Sequence, residues 1–536
     1  MVDSATVYTI PSHAQVLVVG GGPAGSYAAT LLAKALPEEG YDIVVIEKDY
    51  FPRYHIGESL LPSVRQFLTL IDAEDLIASH GFTPKPGAAV KLKQDSMEGY
   101  TDFVAIDPKN CAWNVLRAEF DDLLLKNAAR SGAQVYEGHA ITDIQFEGDP
   151  QSSRPVSASW RSKSSGHSGT ITFDWLIDAS GRMGMMSTKY LRNRTYNSSL
   201  KNVAWWGYWT GAGRYKPGTK RENAIWIEAL TGLSNHIRRA GAGSFRFTME
   251  RSLLEWYYPK KLPSRERKAA KPSKSLKDIY LNQMQSAPGV IELLEKATLV
   301  SEIKSASDYS YSATSYAGNH YRIAGDAGAF IDPFFSSGVH LAMSSGLSAA
   351  CSVSGSIKGD CSEENAITYH NLKVGTAYTR FLFVVLGAYK QMRSQHIPIL
   401  QDIDEKNFDH AFTLLRPIIQ GSGDVGKELT ETGVQDAVDF CSGLFLPTSP
   451  EMRAAVAERV DPKLIAPFEP IVLPKDIPAA LGPRLDVDAV LVIQQINARK
   501  PILAMYDPVS QFGHEAFAGY VTRCSEGKLG LARVEQ

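Results

Sequence analysis

No run of this chain is long and apolar enough to cross a bilayer. The longest, Phe381–Leu386, falls far short of the ~20 residues that a spanning helix needs. An excess of one charge is also missing. Lys and Arg number 56 and Asp and Glu 58, a formal net charge of −2, so no basic surplus points to nucleic acid or an anionic membrane surface. The five cysteines (Cys111, Cys351, Cys361, Cys441 and Cys524) are odd in number and scattered. They form no CxxC or metal-ligand spacing, which argues against a metal centre and for a reducing, cytoplasmic compartment. No basic-then-apolar leader opens the chain, and no internal repeat is evident. With 536 residues, 44% of them hydrophobic, there is material for two or three packed units.

Glycine is placed informatively. An apolar strand, Gln15–Val19, runs into Gly20-Gly21-Gly22-Pro23-Ala24-Gly25 and then a helix over Ser26–Leu36. A second strand, Tyr41–Ile46, ends at Glu47. This is the GxGxxG fingerprint in its strand–turn–helix setting, with an acid placed to meet a ribose hydroxyl. A strand over Asp174–Ile177 leads to a second turn, Asp178-Ala179-Ser180-Gly181-Arg182. A third turn, Gly325-Asp326, follows Tyr321–Ala324 and fits a carboxylate placed on a flavin's ribityl chain. Pro333-Phe334-Phe335-Ser336-Ser337-Gly338 then opens an apolar helix over 339–350. Backbone N–H groups at a helix start make an anion site. An anion site beside a redox cofactor suggests chemistry that uses a halide; the alternative is a hydroxylase whose corresponding turn touches only the cofactor.

The three turns, in this order, resemble the group A FAD monooxygenase superfamily. Four further segments narrow the resemblance: Phe51–Pro62 with its Gly57-Glu58-Ser59, Gly81–Ala89 with Pro84-Lys85-Pro86, Trp113–Arg117 before a helix, and Pro333–Gly338. Together they resemble the flavin-dependent halogenases, especially the fungal branch acting on phenolic polyketides, over roughly 13–230 and 268–445. The resemblance implies that reduced FAD reacts with O2 to give a flavin C4a-hydroperoxide. Chloride or bromide converts this to hypohalous acid, and a catalytic lysine directs that acid at a small phenolic aromatic. Lys85 matches the lysine; on its own it would read as a surface residue in a Pro-flanked loop, with Lys91 and Lys93 as outward-facing neighbours. By the same matching, Gly20, Gly21, Gly22, Ala24, Gly25, Glu47, Glu58, Arg117, Asp326 and Val339 are expected at FAD, and Ser337 and Gly338 at the halide. Glu58 has a second reading as a helix-capping acid. No second GxGxxG is present for a nicotinamide cofactor, so a separate flavin reductase is the expected partner. Trp205-Trp206-Gly207-Tyr208-Trp209 reads either as a wall for a flat substrate or tunnel or as sheet core. His55 and His340 are assigned no role.

The expected fold is α/β: an FAD-binding Rossmann-type domain interleaved with a mostly β substrate domain, plus a helical C-terminal region. The first two occupy residues 1–350, with the substrate sheet over about 83–115 and 200–310. Residues 351–536 are expected to be mostly helical and to cover the substrate pocket, with helices over Asp360–Ser394, Ile397–Gly421 and Leu429–Phe445. Pro447–Pro483 reads as surface loops. Two rival functions stay open: aromatic hydroxylation, and an inert flavin-binding product of a faulty gene model.

One stretch does not fit. The family resembled carries a Trp-x-Trp-x-Ile-Pro strand that is absent here; residues 232–268 are instead basic and follow neither a period of 2 nor of 3.6. Read one frame over, each codon taking the third base of one residue and two of the next, Ala240 onward permits Trp-Cys-Trp-Phe-Ile-Pro. Farther along, Met249-Glu250 forces Gly, Trp256-Tyr257 forces Val and Tyr257-Tyr258 forces Leu, in keeping with an alternating strand. The expectation is a frame error over 232–268, without which a central substrate-sheet strand would be lacking. Sequencing the transcript across codons 228–272 is expected to reveal the Trp-x-Trp-x-Ile-Pro strand; a transcript matching the printed residues overturns the frame error.

Overall fold

The structure is a computed structural model. It describes the chain apart from residues 1–8, 37–39, 94, 106, 198–199, 201, 230–241, 248–251, 260–274, 308–309, 394–437, 468, 473–475, 483–485, 507–514, 526–527 and 535–536. Five parallel strands form the first sheet's centre, in the order Tyr321–Ile323, Ser168–Asp178, His13–Val19, Ile43–Ile46 and Gln134–Tyr136. Their near-continuous apolar runs suit a sheet covered on both faces. Val16, Val18 and Val45 pack under the helices Pro23–Ala35, Arg117–Arg130 and Gly338–Lys358, while Leu17, Val44 and Leu176 pack on the opposite side.

A second, eight-stranded sheet includes Gly87–Lys91, Gly99–Asp102, Asn202–Thr210 and Ile225–Ala229. It is antiparallel except where Ile225–Ala229 runs alongside Gly87–Lys91. Its strands lie between those of the first sheet in sequence, so the two units interleave as expected. Two more of its strands, Ala242–Phe247 and Ser252–Pro259, fall in the segment expected to lack a strand. Each is paired on both sides, from Asn202–Thr210 across to Ile225–Ala229. Backbone pairing therefore supplies the extended conformation that side-chain alternation does not specify. The rest of 232–268 lies outside the described residues. The frame error concerns the transcript and stands as a proposal.

The long helix Glu363–Arg393 buries Phe383, Val385 and Leu386 in a core shared with Ile225, Ile227 and Phe445. Each such side chain contributes about 1.5–3 kcal/mol of burial. The expected helices over 397–421 and 429–445 lie outside the described residues up to 437; from there a short helical segment runs to Phe445. The helix Gly338–Lys358 spans position 350, where the first region is expected to end. The Pro-rich stretch is not all loop. Short helices occur at Pro450–Ala457, Pro462–Ile465 and Ile477–Leu481, because proline in the first turn lacks only an N–H that would have no helical acceptor. Among the described residues, no helix is long and apolar enough to cross a membrane.

Arg322, fully buried in the strand that precedes Gly325-Asp326, ties this sheet to two helices. Its Nη1 and Nη2 each donate to Glu363 at 3.0 Å, and its Nε donates to Ser352 Oγ at 2.9 Å. Burial works to raise the Glu363 carboxyl, but the Arg322 hydrogen bonds and charge outweigh it and hold it below the usual range. Glu363→Ala should destabilise the protein by about 3 kcal/mol, read in denaturant titration. A carboxyl lowered by folding stabilises fully above its unfolded pKa. The wild-type advantage should therefore shrink as pH falls through the ordinary carboxylate range toward the lowered folded value.

Candidate active site

Ile46, Val19, Asp178 and Ile323 are neighbours across one row of the parallel sheet. The chain leaves each strand just beyond that row, so Glu47, Gly20, Ala179 and Ala324 all stand at the carboxyl edge, where open α/β sheets bind ligands. The turns wall a cavity of about 440 Å³. Gly20 adopts φ +105°, and a Cβ there would lie 2.4 Å from Ala179 O. A Cβ on Gly25 would lie 1.9 Å from Gly20 O, so only glycine lets the first helix seat this close to its strand.

Gly20, Gly22 and Ala24 line the cavity from the fingerprint, and Glu47 from the next strand. Arg117, Asp326, Gly338 and Val339 line it from elsewhere in the chain. Gly21, Gly25 and Glu58 do not. Gly21 donates its N–H to Glu47 Oε2 at 2.7 Å and packs on Leu125. Gly25 meets the strand backbone. Glu58 is turned to the Tyr208 hydroxyl, 3.0 Å away, because its backbone carbonyl pairs with Val115 N. Nor does it cap the helix Val64–Leu70, whose N-cap is Ser63.

Arg117 is held by Asp121, with Nε and Nη2 donating at 2.8 and 3.0 Å, and it also donates to Ile56 O at 3.1 Å. Burial pushes Asp121 upward, but the charge of Arg117 prevails and its pKa falls. Asp326 faces the cavity with its carboxyl pushed up to about 6 by burial, against the pull of Arg117, Arg182 and Arg194. Burial lowers His55, on the wall, to about 4 and His340 to about 3, leaving both neutral at pH 7. The aromatic cluster divides by strand alternation. Trp206 faces this cavity and donates to Tyr54 OH at 2.7 Å, whereas Trp209 lies in the core on the other face and donates to Tyr280 OH at 3.0 Å.

Lys85 lines a second, mainly apolar cavity of about 480 Å³. It is 1% exposed and not the surface residue its loop suggested; Nζ donates to Ser59 Oγ at 2.8 Å and Leu60 O at 2.9 Å. Lys91 is half-buried and Lys93 exposed, and neither lines this cavity. Ser59 lines the first cavity, Leu61 the second, and Ser336 both. Segments 57–62 and 333–338 therefore stand between the two chambers. Ser336 adopts φ +57°, and the Oγ atoms of Ser336 and Ser337 are buried without hydrogen-bond partners among the described residues. The helix opens at Gly338, leaving its first N–H groups without helical acceptors, although Ser337 itself lies behind the cavity walls. None of the four aromatics in Trp205–Trp209 lines the Lys85 chamber, which the C-terminal region closes with Leu444, Phe445 and Arg453. Sequence reasoning missed Ser59 and Ser336 as joining residues, although both stand in the motifs it used. It also missed Arg453 and Arg499, which carried no local signal.

A family model described as tryptophan halogenase matches residues 15–106. The flavin-dependent halogenase armH1 of Armillaria mellea is 51% identical over 531 residues, 98% of this chain and 99% of that one. This chain belongs to the flavin-dependent halogenases. The halogenase is also 42% identical to the flavin-dependent halogenase ascD of Acremonium egyptiacum, across 98% of this chain and 94% of that protein. Among solved structures, the myxobacterial chondrochloren halogenase CndH, an FAD-dependent halogenase, superposes with a TM-score of 0.64 at 25% identity. The match covers 81% of this chain and 97% of that one.

The residues present fit FAD. Gly22, Gly181 and Gly338 face the first cavity, and a Cβ on Gly181 would meet no atom within 4 Å, leaving room along the wall. Gly25→Ala should force the first helix away from Gly20. Overpacking of this kind costs about 1–3 kcal/mol, or roughly one to two decades in FAD affinity, measured by flavin fluorescence titration.

Proposed function

We propose that this halogenase chlorinates a small, electron-rich phenolic aromatic of polyketide type, using FADH2 from a separate reductase, O2 and chloride, in secondary-metabolite biosynthesis. Lys85 is the residue that directs the halogen. Its setting carries the reading: a buried lysine nitrogen, fixed by Ser59 and Leu60, at the wall of an apolar chamber that adjoins the first cavity. Reduced FAD, when bound, would supply the two electrons that activate O2, and O2 is the oxidant of the halide. Gly20, Gly22, Glu47, Arg117 and Asp326, which line the first cavity, would bind and orient the cofactor. The N–H groups of Ser337 and Gly338 hold the halide at the helix start.

Lys85 then holds hypohalous acid, either by donating a hydrogen bond to its oxygen or by becoming a haloamine. A compact ammonium on a flexible stem suits the first role; the second needs the neutral amine, which gains the halogen and loses one N–H proton to the HOX oxygen, released as water. The net step balances as Ar–H + HOX → Ar–X + H2O: the ring carbon gains the halogen and loses its proton, and the released oxygen leaves as water. The apolar walls keep bulk water from consuming the electrophile first.

Lys85→Ala should retain FAD but lose about 10²–10⁴-fold in halogenation rate, assayed with reductase, chloride and a phenolic substrate. Product formation that survives both this substitution and removal of halide would instead identify a hydroxylase.

A further inference from the structure

Five thiols are scattered along the sequence, yet the fold brings two of them together outside both cavities. Cys351 lies on the helix Gly338–Lys358 and Cys524 on the strand Tyr520–Ser525, near the end of the chain. Their Sγ atoms are 3.7 Å apart across 173 residues of sequence, a thiol–thiol contact. Tyr520–Ser525 pairs with Lys528–Arg533 as a hairpin, with Cys524 opposite Leu529. This hairpin sits on one face of the helix, where Cys351, Ser354 and Gly355 are neighbours at spacings of three and four residues. Ser354 Oγ donates to Leu529 O at 2.8 Å, and a Cβ on Gly355 would stand 3.3 Å from Leu531 Cγ. Just past the helix, Arg523 Nη2 donates to Asp360 Oδ2 at 2.6 Å. The two sulfurs therefore face one another across a packed joint between helix and hairpin.

The two thiols differ in access. Cys351 is fully buried, whereas Cys524 is half-buried. Burial, then the neighbouring Cys524, pushes the Cys351 thiol well above its usual range, so it is not the group an oxidant meets first. The oxidant that fits is hydrogen peroxide, the product of reduced flavin and O2 when no halogenation follows. Cys524 takes one peroxide oxygen as sulfenic acid, and the other leaves as water. Cys351 then attacks that sulfur: the S–S bond forms, the S–O bond breaks, and the departing hydroxide takes the Cys351 proton as water. The net step is 2 RSH + H2O2 → RSSR + 2 H2O. Tyr27 is fully buried, near enough for the charge of either sulfur to act on it, and its hydroxyl has no hydrogen-bond partner among the described residues. That hydroxyl is available to donate to the sulfenic oxygen, an atom the reduced pair does not carry.

We infer that Cys351 and Cys524 form a reversible oxidation site, whose disulfide locks the C-terminal hairpin onto the helix that opens at Gly338. A bond made under peroxide and undone by thiols is the form a disulfide takes where thiols are otherwise kept reduced. It closes a loop of 173 residues, so its main effect is to restrict the unfolded chain. Neither cysteine lines a cavity, so the lock is separate from Lys85 and from the residues at the first cavity. The competing role is plain packing, in which both thiols stay reduced.

The test uses the full-length, FAD-loaded protein, reduced with dithiothreitol, desalted and exposed to a modest excess of hydrogen peroxide. Remaining thiols are blocked with N-ethylmaleimide in denaturant, and the digest is mapped by mass spectrometry. The expected product is one cross-linked peptide pair, Cys351 to Cys524, that dithiothreitol separates. The oxidised protein should also melt about 5 °C above the reduced one. Cys524→Ser should remove both the cross-link and that rise while leaving FAD binding unchanged. In Cys351→Ala, which lacks the resolving thiol, Cys524 should be recovered as sulfinic or sulfonic acid. Wild-type protein with both thiols still alkylated, with Cys524 over-oxidised, or with a cross-link through Cys111, Cys361 or Cys441 overturns the site. A Cys351–Cys524 cross-link without the rise in melting temperature overturns the lock.

Discussion

The hydrogen-bond register of the parallel sheet is the constraint from which the site follows. Ile46, Val19, Asp178 and Ile323 lie in one row, so segments far apart in sequence turn out of the sheet at the same level. A slip in any pairing would displace one turn and reverse which side chains meet the helices. The contacts around the row resist such a slip. Gly25 seats against Gly20 O, Gly20 against Ala179 O, and Arg322 locks the last strand to two helices. The same register places the helix start at Gly338 on the cavity wall, because Gly338–Lys358 packs directly across the first helix, with Gly346 close to Ala24 O.

The second level of organisation is the partition between the chambers. It is thin: two short segments, one holding Lys85 through Ser59 and Leu60, the other bent by Ser336 in the left-handed region. A non-glycine residue at φ +57° costs free energy that the surrounding packing must offset. Phe334 and Phe335, which contact Phe445, Tyr389 and Phe381, supply that packing. The C-terminal region thus closes the second chamber and also braces the turn that divides it from the first.

Much of the first cavity's wall was legible because its motifs are local: the glycine turn, the acid ending the next strand, and the turns at 178–182 and 325–326. The motifs did not express which of their groups face the cavity. Gly21 and Glu58 belong to the right segments, but one spends its N–H on Glu47 and the other faces Tyr208. The aromatic run at 205–209 was read as one feature, whereas strand alternation sends Trp206 and Trp209 to opposite faces. The strands at 242–247 and 252–259 were not legible, since their neighbours in the sheet define them more than their own pattern does.

The sequence by itself determined the fold class, the order of the turns that wall the first cavity and the motif containing Lys85. These depend on backbone needs that glycine, proline and apolar periodicity express within a few residues. Only the tertiary structure decided that Lys85 is buried, that Ser336 touches both chambers, and that Arg453 and Arg499 both donate to the Tyr100 carbonyl. Those facts depend on contacts between segments hundreds of residues apart, set by sheet register and helix packing, which leave no mark on the local pattern.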